Sequence, residues 1–169
     1  MNFRLTQKLN AKIKAGPLKA LPLDENRFAD WSASLFVAGR VQFVLVTNTK
    51  SLYSMLMLAK GITDDGLFTD RALSDLREFV IADGQEVAFR RHVVPATSSV
   101  RFAKALNRSV TGSMNELVRI ATFFLEVRGL SPMEVSTEID ETPMSAFGMK
   151  DPLFGIPQVV FAAMVSSDS

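Results

Sequence analysis

The stretch SLFVAGRVQFVLV, residues 34–46, decides the fold. Its two flanks are rich in the β-branched, aromatic and aliphatic residues that favour strands. Between them stands Gly39-Arg40, and glycine tolerates the positive φ that a tight turn requires. The stretch therefore predicts a β-hairpin, and a sheet as part of the fold.

Two stretches farther along the chain predict further strands. Residues 52–58 are almost entirely apolar, a pattern that a buried strand shares with a buried helix, and we favour the strand. Residues 100–106 place Val100, Phe102 and Leu106 on one parity, which favours a strand that leads into a polar segment at residues 107–115.

Helical patterns flank these strands. The first begins behind Thr6, a candidate N-cap, because Leu5, Leu9 and Ile13 recur every four residues, and its lysine-rich opposite face is interpreted as solvated. The second follows Asp64, where acidic residues precede a one-sided apolar pattern.

Two more helices are predicted in the second half of the chain. After residues 107–115 the polar residues form one narrow stripe, which predicts a mostly buried helix, and Pro132 begins a short helix near residues 134–139. The expected fold class is α+β, with an antiparallel or mixed sheet of about 4–5 strands packed with several helices. We expect a single domain over residues 1–169 with a frayed C-terminal tail.

Composition excludes several classes of function. The 19 basic and 18 acidic residues leave a net charge of +1, which argues against nucleic acid as a partner. Without cysteine there is no disulfide, thiol nucleophile or thiolate metal site, as is common in a reducing compartment. No apolar stretch approaches the roughly 20 residues that a membrane-spanning helix needs. We therefore expect a cytoplasmic protein with no membrane partner.

The polar segment NRSVTGSMN, residues 107–115, is the first candidate for a ligand site. It lies where a predicted strand passes into a helix, and the free N–H groups and positive dipole end of a helix start hold anions. The candidate contacts are Asn107, Arg108, Ser109, Ser113 and Asn115. The alternative is that Ser109 or Ser113 simply caps the helix.

The segment FADW, residues 28–31, is the second candidate. Asp30 stands beside the only tryptophan, Trp31, and with Arg40 from the hairpin turn it would form one wall of a pocket, with Asp30 as an acid or base. The alternative places Trp31 in the core or at its rim, with its indole N–H satisfied locally.

Other chemistry-bearing residues have ordinary explanations. His92, the only histidine, is interpreted as a surface residue of a basic loop. The carboxylate clusters lack metal-ligand spacing and are interpreted as solvated helix ends; they comprise Asp64, Asp65, Glu138, Asp140 and Glu141. We predict no cofactor and no metal, and we lean away from catalysis.

Six ordered segments resemble a family of uncharacterised bacterial proteins, a domain of unknown function. They are RLTQKL (residues 4–9), FADW, LFVAGR (residues 35–40), VTN (residues 46–48), NRSVTGSMN and PMSAFG (residues 143–148). The resemblance spans residues 4–152 and implies a bacterial, cytoplasmic, free-standing domain. It implies no reaction.

Two functions fit these observations. The leading hypothesis is a non-catalytic binding or protein-interaction module that self-associates, as a homo-oligomer, through apolar surface near residues 154–164. The alternative is a protein or enzyme that binds a small phosphate- or nucleotide-like anion through residues 107–115 and Arg40. Convergence of FADW and NRSVTGSMN on one pocket would favour the alternative.

Overall fold

The predicted hairpin forms part of a five-stranded mixed sheet. The computed structural model describes residues 1–147 and 155–167. The strands are β1 (Asn2–Leu5), β2 (Asp30–Ala38), β3 (Val41–Asn48), β4 (Ser54–Leu58) and β5 (Arg101–Ala103). Their order in the sheet is β4-β3-β2-β1-β5, and the hairpin supplies β2 and β3. β1 pairs in parallel with β2 and β5, whereas β3 is antiparallel to both of its neighbours. With its helices, this sheet confirms the α+β class.

The hairpin turn is the one that the sequence predicts. Gly39 and Arg40 both have positive φ, 53° and 68°, as a tight two-residue turn between twisted strands requires. The Gly39 N–H also donates to Oε1 of Glu126 at 2.8 Å. The tip of the hairpin is therefore tied to the end of a helix.

Six helices surround the sheet in the described part of the chain. They are α1 (Gln7–Ile13), α2 (Asp65–Ala82), α3 (Glu86–Ala88), α4 (Arg108–Glu126), α5 (Pro132–Asp140) and α6 (Pro157–Ser167). Asp64 caps α2 by accepting from the Leu67 N–H, and Pro132 opens α5 beside a capping box formed by Ser131 and Glu134. These helix starts are as predicted.

The N-terminal prediction is only half right. Thr6 caps α1 as expected, but Leu5 belongs to strand β1, which lies in the sheet between β2 and β5. The spacing is misleading because Leu5, Leu9 and Ile13 pack into one apolar cluster although a strand and a helix supply them. A four-residue period therefore crosses the boundary between the two elements.

The sheet is buried on both faces. We call the side covered by α1, α2 and α6 face A, and the side covered by α4 and α5 face B. On β3, Val44 and Val46 pack into the cluster of face A, while Phe43 and Leu45 pack into that of face B. Burial on both faces explains why residues 43–46 of β3 are all apolar and do not alternate.

Both edges of the sheet are covered, which blocks pairing with other chains. At β4, the Ser54 N–H donates to Oδ1 of Asp140 at 2.7 Å, and the Leu56 N–H donates to Oγ of Ser136 at 2.8 Å. At the β5 side, the Lys104 N–H donates to the Lys19 carbonyl at 2.9 Å. Side chains of helix α5 thus accept hydrogen bonds from the backbone of β4.

Helix α4 is less buried than its sequence predicts. Its fully buried side chains form one stripe toward face B, and they are Ser113, Met114, Leu117 and Ala121. Phe123 is 49% exposed. The prediction fails because α4 lies in an outer layer, where one side of a helix meets the sheet and the other meets solvent.

Part of the C-terminal apolar segment belongs to the core. Phe161 of α6 is 0% exposed, and its ring lies 4.3 Å from that of Tyr53, centroid to centroid. Pro157 and Met164 are also buried, whereas Val159 and Val160 are half-buried. Self-association through this segment stays a prediction. Gly148, Pro152 and Phe154, on which part of the sequence interpretation rests, lie outside the described residues.

Candidate functional site

A crevice opens where the parallel strands β1 and β5 end. After β1 the chain enters α1 and packs on face A, whereas after β5 it enters α4 and packs on face B. Neighbouring parallel strands whose following helices diverge to opposite faces leave a gap at their carboxyl ends, and ligands of open α/β sheets commonly bind there. This topology singles out the crevice as the candidate site.

Strand β2 forms one wall of the crevice because it extends beyond the end of its neighbour β1. β1 ends at Leu5, opposite Ala33, whereas β2 continues to Ala38. Residues 34–36 of β2 therefore border open space on this side. The cavity has a volume of about 840 Å³, within the range of about 300–1,000 Å³ typical of small-molecule sites.

Apolar and polar groups share the crevice. The apolar part is formed by Leu5, Leu18, Leu35, Phe36, Ala105 and Val118. The polar part is formed by Thr6, Gln7, Lys8, Asn10, Ser34, Lys104, Thr111 and Asn115. A mixture of this kind suits an organic molecule with an apolar body and a few polar groups.

A small recess extends the crevice toward the sheet. Its volume is about 30 Å³, and it shares Thr6, Ser34, Thr111 and Asn115 with the outer cavity. Arg4 contributes to its lining. A volume of this size admits about one water molecule or one small polar group.

The charges of the crevice are all positive. Lys8 and Lys104 line it, both exposed, and the ammonium group of neither makes a hydrogen bond or an ion pair with the residues described. Among the described residues, no aspartate or glutamate lines the crevice or the recess. The site therefore favours an anion over a cation.

Several polar groups of the crevice are not engaged by the protein. The side chains of Ser34 and Asn115 make no hydrogen bond within the described part of the chain. Asn10 donates from Nδ2 to the Gly16 carbonyl at 2.9 Å, but its buried Oδ1 has no partner there. Native proteins rarely leave a buried group such as this Oδ1 unpaired, whereas the half-buried Ser34 and the exposed Asn115 are simply free to bind a ligand.

The structure divides the predicted segment NRSVTGSMN. Asn115 lines the crevice, together with Thr111 one helical turn earlier. The helix is capped by Asn107, whose Oδ1 accepts from the Val110 N–H at 3.0 Å, and not by either serine. Ser113 is buried against face B.

Arg108 and Ser109 do not line the crevice; both are exposed in the first turn of α4. Successive helical residues point about 100° apart, so only every third or fourth residue of the segment reaches the same side. The expected anion contact from the helix start thus reduces to Asn115, because the Thr111 hydroxyl donates to the Asn107 carbonyl at 3.2 Å.

The segment FADW does not reach the crevice. Trp31 is 0% exposed and donates its indole N–H to the Phe28 carbonyl at 2.8 Å, as the alternative reading of this segment predicts. Arg40 is exposed at the hairpin tip, at the opposite end of β2 from Asp30. The predicted wall of Asp30, Trp31 and Arg40 does not form.

Asp30 instead binds Arg4 in a buried, bidentate ion pair. Nε and Nη2 of Arg4 each donate to one carboxylate oxygen at 2.7 Å. The remaining three N–H groups donate to the carbonyls of Leu21, Pro22 and Lys104 at 2.8, 2.8 and 3.3 Å. The Arg4 side chain thus connects β1 to β2, to the loop after α1 and to Lys104, which lines the crevice.

The pKa of Asp30 reflects this pairing. Burial raises the pKa, but hydrogen bonds from Arg4 and neighbouring groups, and the charge of Arg4, outweigh burial and hold the pKa below its ordinary value. Asp30 is therefore a structural anion, and the structure does not support its predicted role as an acid or base.

Asp140 corrects another interpretation, since it is 1% exposed and not a solvated helix end. Oδ1 accepts from the Ser54 N–H, whereas Oδ2 has no partner within the described residues. Burial, and then the charges of Asp83 and Glu141, raise the pKa of Asp140 well above its ordinary value, against the effect of the Ser54 hydrogen bond.

Asp140→Asn should flatten the dependence of stability on pH. The folded protein keeps a proton that the unfolded chain loses above a pKa of about 3.9, so stability falls as pH rises from there toward the folded pKa, by at most about 1.4 kcal/mol per pH unit. Asparagine keeps the acceptor for the Ser54 N–H but does not ionise. Urea denaturation between pH 4 and 8 would measure this slope.

The exposed neighbour Glu138 provides the control, because Glu138→Gln should leave the slope unchanged. Asp83, whose pKa is also raised by burial, should give the Asp140→Asn variant a residual slope. Superimposable curves for Asp140→Asn and the unmodified protein would contradict the assignment.

His92 is also less exposed than predicted. It lies in a π-helical turn, Phe89–Val93, and its ring stacks on Phe28 at 4.6 Å between centroids. It does not line the crevice or the recess. A packing role accounts for it.

Sequence reasoning missed most of the crevice residues, three polar ones among them. Lys8 is interpreted as part of a solvated helix face, Ser34 as part of the hairpin, and Lys104 as part of a strand end. The available signal is a pattern that occurs twice, in which a strand leads into a helix: β1 into α1, and β5 into α4. This repetition is visible in the sequence only if residues 2–5 are recognised as a strand.

The chain was compared with known proteins. A family model described as a domain of unknown function, DUF6933, matches residues 2–154. The chain belongs to this family. No curated protein and no solved structure matches it. Every crevice residue named above lies within the region that matches the DUF6933 model, whereas α6 begins beyond the end of that region.

None of the helices in the described residues combines the length and the apolar character needed to cross a bilayer. No group of three or more histidine, aspartate or glutamate side chains there is placed to hold a metal ion.

Proposed function

We propose that this DUF6933 protein is a non-catalytic binding module that takes a small organic anion into the crevice between β1, β5, α1 and α4. The observation that carries the proposal is the position of the crevice at the diverging carboxyl ends of two parallel strands. We further propose that it acts in the cytoplasm, which the lack of cysteine favours.

The electrostatics of the crevice support an anion. Lys8 comes from α1 and Lys104 follows β5, so the two ammonium groups belong to different elements that border the same cavity. An ammonium about 4 Å from an anion contributes about 1 kcal/mol in water and more where water is partly excluded. With no carboxylate in the described lining, nothing there offsets this attraction.

The apolar groups indicate that the anion carries an organic body. Leu35 and Phe36 of β2 and Val118 of α4 all line the cavity. Inorganic ions would leave this surface wet, whereas a ring or short aliphatic chain would cover it at about 25 cal/mol per Å² of apolar surface. The ligand we propose is therefore amphiphilic.

The test is an NMR titration with three probes that share a phenyl ring: 3-phenylpropionate, phenyl phosphate and the cation phenethylammonium. We expect at least one anion to shift the amide resonances of Thr6, Ser34 and Thr111, which border the crevice, and the cation to leave them in place. The double variant Lys8→Ala/Lys104→Ala should weaken the anion at least tenfold, which corresponds to about 1.4 kcal/mol.

Lys60→Ala is the matched control, since Lys60 is an exposed lysine that follows β4, at the far side of the sheet. It should bind the anion as the unmodified protein does. Absence of shifts with both anions at millimolar concentration, or shifts confined to residues outside the crevice, would refute the proposed function.

A further inference from the structure

We propose that the ligand is a carboxylate with an apolar body, and that its carboxylate enters the recess while its body lies in the outer crevice. This inference rests on the proposed function and specifies the ligand of the same site. It depends on the size of the recess, on its hydrogen-bonding groups and on the arrangement of apolar surface outside it.

The size of the recess selects among anions. Its volume of about 30 Å³ exceeds the roughly 10–15 Å³ that a cavity needs to hold one water molecule. A planar carboxylate presents two oxygens on one carbon and fits with small side-chain adjustments. A tetrahedral phosphate carries additional oxygens out of that plane and would remain in the outer crevice.

Three hydrogen-bonding groups of the recess can donate to a ligand. Ser34 and Asn115 line both compartments, and their hydroxyl and amide groups are unengaged within the described residues. Thr6 accepts from the Leu9 N–H, which leaves its own O–H to donate. An ionised carboxylate only accepts hydrogen bonds, so its oxygens match this set.

Nearby charge does not oppose a carboxylate. Arg4 lines the recess, whereas its partner Asp30 does not. The guanidinium has committed all five of its N–H groups, and its charge is paired with that of Asp30, so Arg4 offers the ligand no direct hydrogen bond and little net charge. Lys8 and Lys104 belong only to the outer compartment, where they would attract the ligand.

The outer compartment has the surface for an apolar body. Leu18, Leu35, Phe36 and Val118 line the outer cavity and not the recess. A short aliphatic chain or a phenyl ring attached to a carboxylate in the recess would extend along them. The two compartments together thus describe a monocarboxylate with a compact apolar substituent.

Calorimetric titration with matched probes tests the inference. On the unmodified protein, 3-phenylpropionate should bind at least tenfold more tightly than phenyl phosphate and than 3-phenylpropanamide. Ser34→Ala and Asn115→Ala should each weaken 3-phenylpropionate by about tenfold to a hundredfold, because hydrogen bonds to a charged group contribute about 1.5–3 kcal/mol. Neither variant should change the affinity of phenyl phosphate by more than about twofold.

Ser109→Ala serves as the matched control, since Ser109 is an exposed serine in the same segment and lies outside both compartments. Tighter binding of phenyl phosphate, or carboxylate affinity unchanged in both Ser34→Ala and Asn115→Ala, would overturn the inference. If phenyl phosphate alone binds and depends on Lys8 and Lys104, the proposed function stands and the carboxylate assignment falls. If neither anion binds, both fall.

Discussion

Arg4→Ala should lower the free energy of unfolding by about 3–5 kcal/mol, because it leaves Asp30 as an unpaired charge in the interior. The carboxylate is 0% exposed, and Arg4 supplies both of its 2.7 Å ion-pair contacts. The substitution also releases the carbonyls of Leu21, Pro22 and Lys104. Urea denaturation monitored by Trp31 fluorescence would measure the loss.

Arg4→Lys separates charge from geometry. Lysine keeps the positive charge but replaces a planar fork of five donors by one ammonium with three, so it should recover only part of the loss. Because the pKa of Asp30 is lowered in the folded protein, the contribution of this pair is present above the unfolded pKa and is lost as pH falls through the folded value. The acid limb of the stability curve should therefore be shallower in Arg4→Ala.

Arg90→Ala is the control for this experiment. Arg90 pairs with Glu86 at the same 2.7 Å, but the two side chains are 66% and 48% exposed. Exposed pairs typically contribute about 0–1 kcal/mol. Equal losses for Arg4→Ala and Arg90→Ala would contradict the view that burial makes the Arg4–Asp30 pair decisive.

Phe161→Ala should cost about 3–5 kcal/mol, the usual range for removing a large aromatic side chain from a packed core. Its ring is stacked on Tyr53 and meets Phe28 edge-on at 5.1 Å between centroids, with Trp31 at 6.2 Å. Urea denaturation gives the loss of stability. A changed Trp31 emission in the folded variant would report the cavity beside the indole.

The matched control is Phe123→Ala, since Phe123 is 49% exposed on α4. Surface substitutions usually change stability by about 0.5 kcal/mol or less. If α6 served self-association instead of the core, Phe161→Ala would change the molecular mass by light scattering and leave the stability of the monomer unaltered. That result would favour the interpretation of the segment as an interface.

The strengths of the sequence interpretation lie in its local features. The turn at Gly39-Arg40 needs only two residues with positive φ, and the starts of α2 and α5 need only a cap within three or four residues. Such signals are complete within a short window. They were predicted because no distant partner is required to form them.

The failures arise where a distant partner decides. Residues 2–5 become a central strand only because β2 and β5 flank them, and these begin 28 and 99 residues beyond Asn2 in the pairing register. Asp140 is buried because it meets the Ser54 N–H, 86 residues away. A window of a few residues around residues 2–5 or around Asp140 contains none of the residues with which they pair.

By itself, then, the sequence determined the hairpin, the principal helices, the α+β class and the absence of thiol chemistry, since each follows from local backbone preference or from composition. Only the tertiary structure decided that Arg4 pairs with Asp30 and that Ser34, Lys104 and Asn115 border one crevice. The physical reason is that a binding site is made by surfaces from elements far apart in the chain. Their meeting depends on strand order and on which face each helix covers.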